Sequence, residues 1–295
     1  MERVPYVEGL IEKTADVQQQ REHFGRRFCK NPMAVVGTVI LLIFALIAIF
    51  APQIAPYSFE GQDLKNLYAP PSNAHLFGTD NFGRDVFSRV IYGSRVSLVI
   101  GLISVGIGCS IGTFAGIMAA WWGGIVDHAV MCVIDIMQSV PGLLLAIALS
   151  AAMGPGLVNA MIAVGISSIP VYARIVRGSV LDVKGLDFVD AAIVSGAGSA
   201  RVIMRHILPN ILAPIVIQAS AGMAGAILTA ASLSFIGLGV QPPAAEWGSM
   251  ISAGRAYIRN AWWIVTFPGI AIMATVCALN LLGDGLRDAL DPQEK

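Results

Sequence analysis

The sequence predicts an all-α integral membrane protein with six transmembrane helices, and three observations carry that expectation. Of the 295 residues, 56% are hydrophobic and only 13% charged, with mean hydropathy +0.71, whereas roughly a quarter of a soluble domain is charged. Apolar runs that approach or exceed the ~20 helical residues needed to cross a bilayer recur along the chain. One long polar stretch, residues 172–210, has such runs on both sides. The formal net charge is zero, and the cations are grouped at loops and form no stripe, which argues against nucleic-acid binding.

Residues 1–32 form a polar tail that ends in the basic cluster Arg21, Arg26, Arg27 and Lys30 before Asn31-Pro32. The run 33–51 is too long for a signal-peptide core and lacks a small-residue cleavage site, so it reads as an uncleaved first transmembrane helix. Residues 52–95 form an outer loop in which Val86, Phe87, Val90 and Ile91 share a helical face opposite Asp85, Ser88 and Arg89. That pattern predicts a helix lying in the membrane interface.

The remaining five helices form a core, residues 96–285. The second helix, 96–121, carries Gly108, Gly112 and Gly116 at four-residue spacing, which lets another helix approach closely. The third, 126–152, holds Asp127, Asp135, Gln138 and Ser139, with Pro141 expected to kink it. Charge within a span flags function. Asp127 lies near an expected end within reach of water, which leaves Asp135 as the candidate buried charge, in a structural ion pair or a gate contact. The fourth, fifth and sixth helices cover 156–177, 210–238 and 262–283, Trp262 and Trp263 suit an interfacial anchor, and residues 286–295 are a short tail. Four cysteines lie far apart, three of them in apolar runs, which predicts buried packing thiols and no disulfide framework.

Six spans put both termini on one side. Of the 19 Lys and Arg residues, thirteen fall on the side of the termini and the 172–210 loop. The positive-inside rule makes that side cytoplasmic.

Within the polar stretch, residues three and four apart share a helix face. Phe188, Ala191 and Ala192 fall on one side, with Asp187 and Asp190 on the other. Gly196 and Gly198 break the helix. A second helix follows, with Ile203, Met204, Ile207 and Leu208 opposite Arg201 and Arg205, and Pro209 is expected to stop it. Asp190-Ala191-Ala192, Gly196-Ala197 and Ile207-Leu208-Pro209 resemble the "EAA" loop of permease subunits of bacterial ABC importers. Two departures stand out: Asp190 replaces the commoner Glu, and His206 occupies a place where isoleucine often falls.

The resemblance extends along the chain. Gly78-Thr79-Asp80, Gly83-Arg84-Asp85, Ser88-Arg89, Gly93 and Arg95 resemble the GTDxxGRDxxSRxxxGxR signature of the "C" permease of dipeptide, oligopeptide and nickel importers. The segments 237–248 and 280–292 resemble that family's outer loop and C-terminal signature. The resemblance implies a type I ABC importer permease fold in a bacterial inner membrane, with residues 178–209 as the loop that couples it to ATP hydrolysis. Asp187, Phe188, Asp190, Ala191, Ala192, Gly196, Ala197, Arg201, Arg205, Leu208 and Pro209 would form the ATPase contact. Implied partners are a second permease, two ATPase subunits, an extracytoplasmic binding protein and the membrane lipids. Peptides, glutathione, nickel chelates and opines are substrates of systems with these signatures.

No cofactor is expected on this chain. None of its five lysines follows a glycine, so the phosphate-cradling GxxxxGK[ST] loop is missing, and ATP and Mg belong on partner subunits. The four histidines form no HExxH pair and Gly165-Ile166-Ser167 lacks the closing glycine of a nucleophile elbow, which argues against an enzyme. An ion-coupled carrier would show midplane charges and inverted repeats, and Asp135 alone is thin support. Ser104, Gln138, Ser167, Ser168, Gln218, Ser220 and Thr229 are candidates for lining a pore or for hydrogen bonding between helices.

Overall fold

The computed structural model describes residues 28, 29 and 31–290. The cluster Arg21, Arg26, Arg27 and Lys30, and the tail from Asp291, lie outside the described residues. Helix α1 (Pro32–Ile49) starts with proline in its first turn, and the Asn31 side-chain oxygen accepts from the amides of Met33 and Ala34. The short α2 (Ala51–Ile54) leads into the loop 55–85. α3 (Val86–Trp122) follows, then α4 (Gly124–Gln138), α5 (Gly142–Met153) and α6 (Leu157–Lys184). α7 (Asp187–Val194) and α8 (Ser199–Val202) come next, and a π turn over Ile203–Ile207 joins α8 to α9 (Leu208–Phe235). α10 (Trp247–Gly254) and α11 (Trp263–Leu290) complete the chain.

Five helical stretches are long and apolar enough to cross a membrane, and α4 with α5 makes a sixth span when the bent pair counts as one. The core is built where α3 and α6 meet. A Cβ on Gly112 would stand 2.5 Å from the Tyr172 Cβ, and one on Gly116 2.6 Å from the Ala173 carbonyl, so these glycines set the separation of the two helices. α9 packs on both, and α11 packs on α9 and α1. Asn31 Nδ2 donates to Asp288 Oδ2 at 2.8 Å, tying the start of α1 to the end of α11.

Five boundaries differ from the sequence expectation. α6 runs on to Lys184, so residues 178–184, read as the start of the 178–209 loop, are the end of a long helix. α3 is one helix of 37 residues, about 55 Å long at 1.5 Å per residue, and includes the segment expected as a separate interfacial helix. Nothing between Arg89 and Val96 breaks it, because Gly93 packs against the Trp247 indole. Pro141 does more than kink its span: α4 and α5 meet at 87°. Pro209 stops nothing. The π turn has already widened the ladder, with the Leu208 amide bonded to Ile203 O five residues back, so the chain stays helical from Ser199 to Phe235. α11 likewise runs on through Leu286–Leu290, which the sequence reading assigned to the tail.

Candidate functional site

The polar stretch folds into a hook at the end of α6. Asp187 and Asp190 lie in the first turn of α7, where the positive end of the helix dipole favours carboxylates. The helix closes in a Schellman arrangement: the Gly196 amide donates to Ile193 O (2.9 Å) and the Ala197 amide to Ala192 O (3.0 Å). Gly196 has φ +84° with no atom within 4 Å of a would-be Cβ, so conformation alone requires glycine there.

The hook has an inner and an outer side. Val189, Val202 and Ile207 are fully buried and pack with Val176, Val180, Ile211 and Ala120, joined by the half-buried Ala192, Ala197 and Leu208. Phe188, Ala191, Val194 and Met204 face out, Val194 being 88% exposed, as are Asp187, Asp190, Arg201, Arg205 and Pro209. This splits the group expected on one face, because Ala192 turns inward while Phe188 and Ala191 turn outward. An eight-residue helix buries only a narrow stripe, and Val189 with Ala192 at i, i+3 forms it. The π turn changes the phase of the second segment, so Val202 and Ile207, five apart, share the buried side and Met204 is left outside. The buried anchors Val189 and Val202 were missed by the sequence reading. For Val189 the signal was β-branched bulk among acidic and small neighbours.

The expected pore candidates separate. Ser104 is fully buried and its Oγ donates to Met161 O on α6 at 3.1 Å, an interhelical bond. Ser167, Ser168, Ser220 and Thr229 each donate to a carbonyl of their own helix, at Val164, Gly165, Ile217 and Gly225. Gln138 is exposed and Gln218 half-buried. Asp135 is not buried: its side chain is 61% exposed and pairs with Arg174 of α6 at 2.7 Å. Asp127, discounted on its position, makes a two-point pair with Arg177, Nε to Oδ1 and Nη2 to Oδ2, both 2.6 Å. Arg174 and Arg177 are therefore helix-bound cations that hold α4 to α6, so two of the thirteen cations counted on the side of the termini and the 172–210 loop belong to a helix and not to a loop. Cys132 and Cys277 are exposed and Cys109 half-buried, contrary to the expected buried thiols, and among the described residues no disulfide forms.

The glycine- and charge-rich signature of residues 78–95 is a buried staple. Asp80 accepts from the amides of Phe82 and Arg84 and from Arg84 Nε at 2.7 Å. Asp85 caps α3, accepting from the Ser88 amide at 2.7 Å, and its other oxygen meets His75 at 2.9 Å. Arg89 reaches the carbonyls of Phe59 and Pro243, joining the loop before α3 to the loop before α10. Glu246, 2% exposed, caps α10 through the amides of Gly248 and Ser249. Burial pushes its carboxyl above the ordinary carboxylate range while those two amides oppose the shift. Among the described residues, no group of three or more His, Cys, Asp or Glu side chains is placed to hold a metal.

The family model described as binding-protein-dependent transport system inner membrane component matches residues 112–295, and that of the N-terminal TM domain of oligopeptide transport permease C matches residues 20–71. The chain is 46% identical over 279 residues to the dipeptide transport system permease protein DppC of Alkalihalophilus pseudofirmus, covering 95% of this chain and 91% of the relative. It is 46% identical over 263 residues to the probable D,D-dipeptide transport system permease protein DdpC of Escherichia coli (89% and 88%). It is 45% identical over 273 residues to the glutathione transport system permease protein GsiD of Pectobacterium atrosepticum (92% and 91%). Among solved structures, an inward-facing MetNI methionine ABC transporter superposes with TM-score 0.57 at 19% identity, covering 70% of this chain and 98% of the other. That likeness shows the fold alone.

Proposed function

Because the chain belongs to the family of binding-protein-dependent transport system inner membrane components, we propose that it is the permease subunit through which an ATP-driven importer passes small peptides across the cytoplasmic membrane. Its membrane-embedded, all-helical permease architecture is the frame. The observation that carries the reading is the hook. A short helix packed against three spans on one side and exposed on the other offers a separate ATPase a rigid surface to push against. Phe188, Ala191 and Val194 would form the centre of that contact, with Asp187, Asp190, Arg201 and Arg205 on its rim.

In this reading a second permease completes the pathway, two ATPase subunits hold ATP and Mg, and an extracytoplasmic binding protein delivers the solute. Closure of the ATPases moves the hooks as rigid bodies and rocks the permeases between inward- and outward-facing states. The termini and the hook lie in the cytoplasm. Glutathione, itself a tripeptide, is the second reading, favoured by the relative named for its transport.

The test is uptake by the reconstituted four-subunit complex with its binding protein, comparing labelled dipeptide with glutathione. ATP-dependent uptake of either selects between the readings, and uptake driven by an ion gradient without ATP refutes both. A cysteine placed at Ser72 should react with an impermeant reagent from outside and one at Gly185 should not; the reverse labelling refutes the orientation.

A further inference from the structure

We propose that Lys184 is a positioning residue of transport coupling, holding the hook to the glycine elbow between α3 and α4 so that the two move together. The proposal rests on the reading of the hook as the ATPase contact.

The last carbonyls of a helix have no partner within it. At the end of α3 two of them are met by Lys184, whose Nζ donates to Trp121 O at 2.8 Å and Ala120 O at 3.2 Å and lies 5.5 Å from the centre of the Trp121 ring. A cation at this point also faces the negative end of the α3 dipole. Directly beyond it, Gly123 (φ +63°) and Gly124 (φ +50°) turn the chain into α4, with no atom within 4 Å of a Cβ built on either. The bend is therefore unpacked and depends on what grips its two arms. Arg177 grips the downstream arm through Asp127 in the first turn of α4. Lys184 grips the upstream arm. The two cations are seven residues apart on α6, two turns on one face.

Lys184 is also the last residue of α6, two positions before Leu186, which precedes α7. A displacement of α7 thus reaches the end of α3 by two routes, the apolar contact with Ala120 and the polar grip of the Lys184 amine on the last carbonyls, and from there the elbow and α4, whose far end carries Asp135 and the 87° break into α5. The hook's apolar attachment through Val189, Val202 and Ile207 to Ala120 does not involve the Lys184 amine, so losing the amine should leave the hook docked and folded while loosening its polar grip on the end of α3 and the elbow.

The experiment uses the complete complex of both permeases, both ATPases and the binding protein in proteoliposomes. Lys184→Met keeps most of the stem and removes the donors. The ATPases should co-purify at wild-type yield and ATP hydrolysis should continue, while solute taken up per ATP falls by about tenfold or more, since even one of the two charge-assisted hydrogen bonds lost carries about that factor. Lys184→Arg, which keeps a cationic donor, should recover most of that ratio. Wild-type uptake per ATP in Lys184→Met overturns the proposal. Loss of the ATPases from the Lys184→Met complex overturns it as well, because Lys184 would then serve assembly. A misassigned hook would show itself separately, as intact docking in an Ala191→Leu variant.

Discussion

Ala191 and Ala192 are neighbours, and replacing each by leucine should fail in different ways. Ala192 points into the cluster of Val189, Val202 and Ile207. Leucine there overpacks the hook's own attachment, which typically costs about 1–3 kcal/mol. The isolated subunit should report it as faster proteolysis between Lys184 and Arg205. Ala191 is exposed, so leucine should alter the isolated subunit by no more than about 0.5 kcal/mol. In a docked complex the same added bulk separates two surfaces, and a penalty of about 1–3 kcal/mol weakens association by roughly one to two orders of magnitude. Co-purification of the ATPases and uptake, measured beside limited proteolysis of the subunit alone, separate the two effects. Full ATPase recovery and normal uptake in Ala191→Leu would refute the outer face as the docking surface. An Ala192→Leu subunit that loses its ATPases while resisting protease like the parent would refute the inward orientation of Ala192.

Gly196→Val should destabilise the hook by about 1–2 kcal/mol through its positive φ alone, whereas Gly196→Asn should be tolerated better because asparagine accepts that conformation, as uptake assays on the two variants would reveal. Gly112→Ala should lower the abundance of the inserted subunit because its Cβ would meet the Tyr172 Cβ at 2.5 Å, while Gly106→Ala, with nothing within 4 Å, should not; equal yields on immunoblots would refute the close packing of α3 on α6. Glu246 carries a raised carboxyl pKa. A raised folded value contributes stability that is present below the ordinary carboxylate value and lost as pH rises through the raised one. The melting temperature of the purified subunit should therefore fall across that window, and Glu246→Gln should flatten the dependence; an unchanged slope would count against the buried carboxyl.

Hydropathy alone made the protein membrane-embedded and all-helical, because a span must satisfy every backbone group internally and therefore needs a long apolar run that composition makes visible. The glycine spacing of α3 was legible for a similar reason, since a small side chain every fourth residue has few uses other than close approach. The order of small, acidic and glycine residues in 187–209 marked the hook, and Gly196 closes α7 where that order put a corner.

Facing and partnership were decided only in three dimensions. Ala192 lies inside and Ala191 outside because Val189 takes the one stripe a short helix can bury, and Val202 joins it because a π turn shifts the phase, which the regular 3.6-residue period does not encode. Asp127 pairs with a residue 50 positions away and Asp135 with one 39 away. The sequence marks Asp135 as a costly charge within a span and places Asp127 near an end, within reach of water. The partner that meets each is fixed by the crossing of α4 over α6, and that crossing depends on the glycine elbow, the break at Pro141 and the packing of both helices against the rest of the chain.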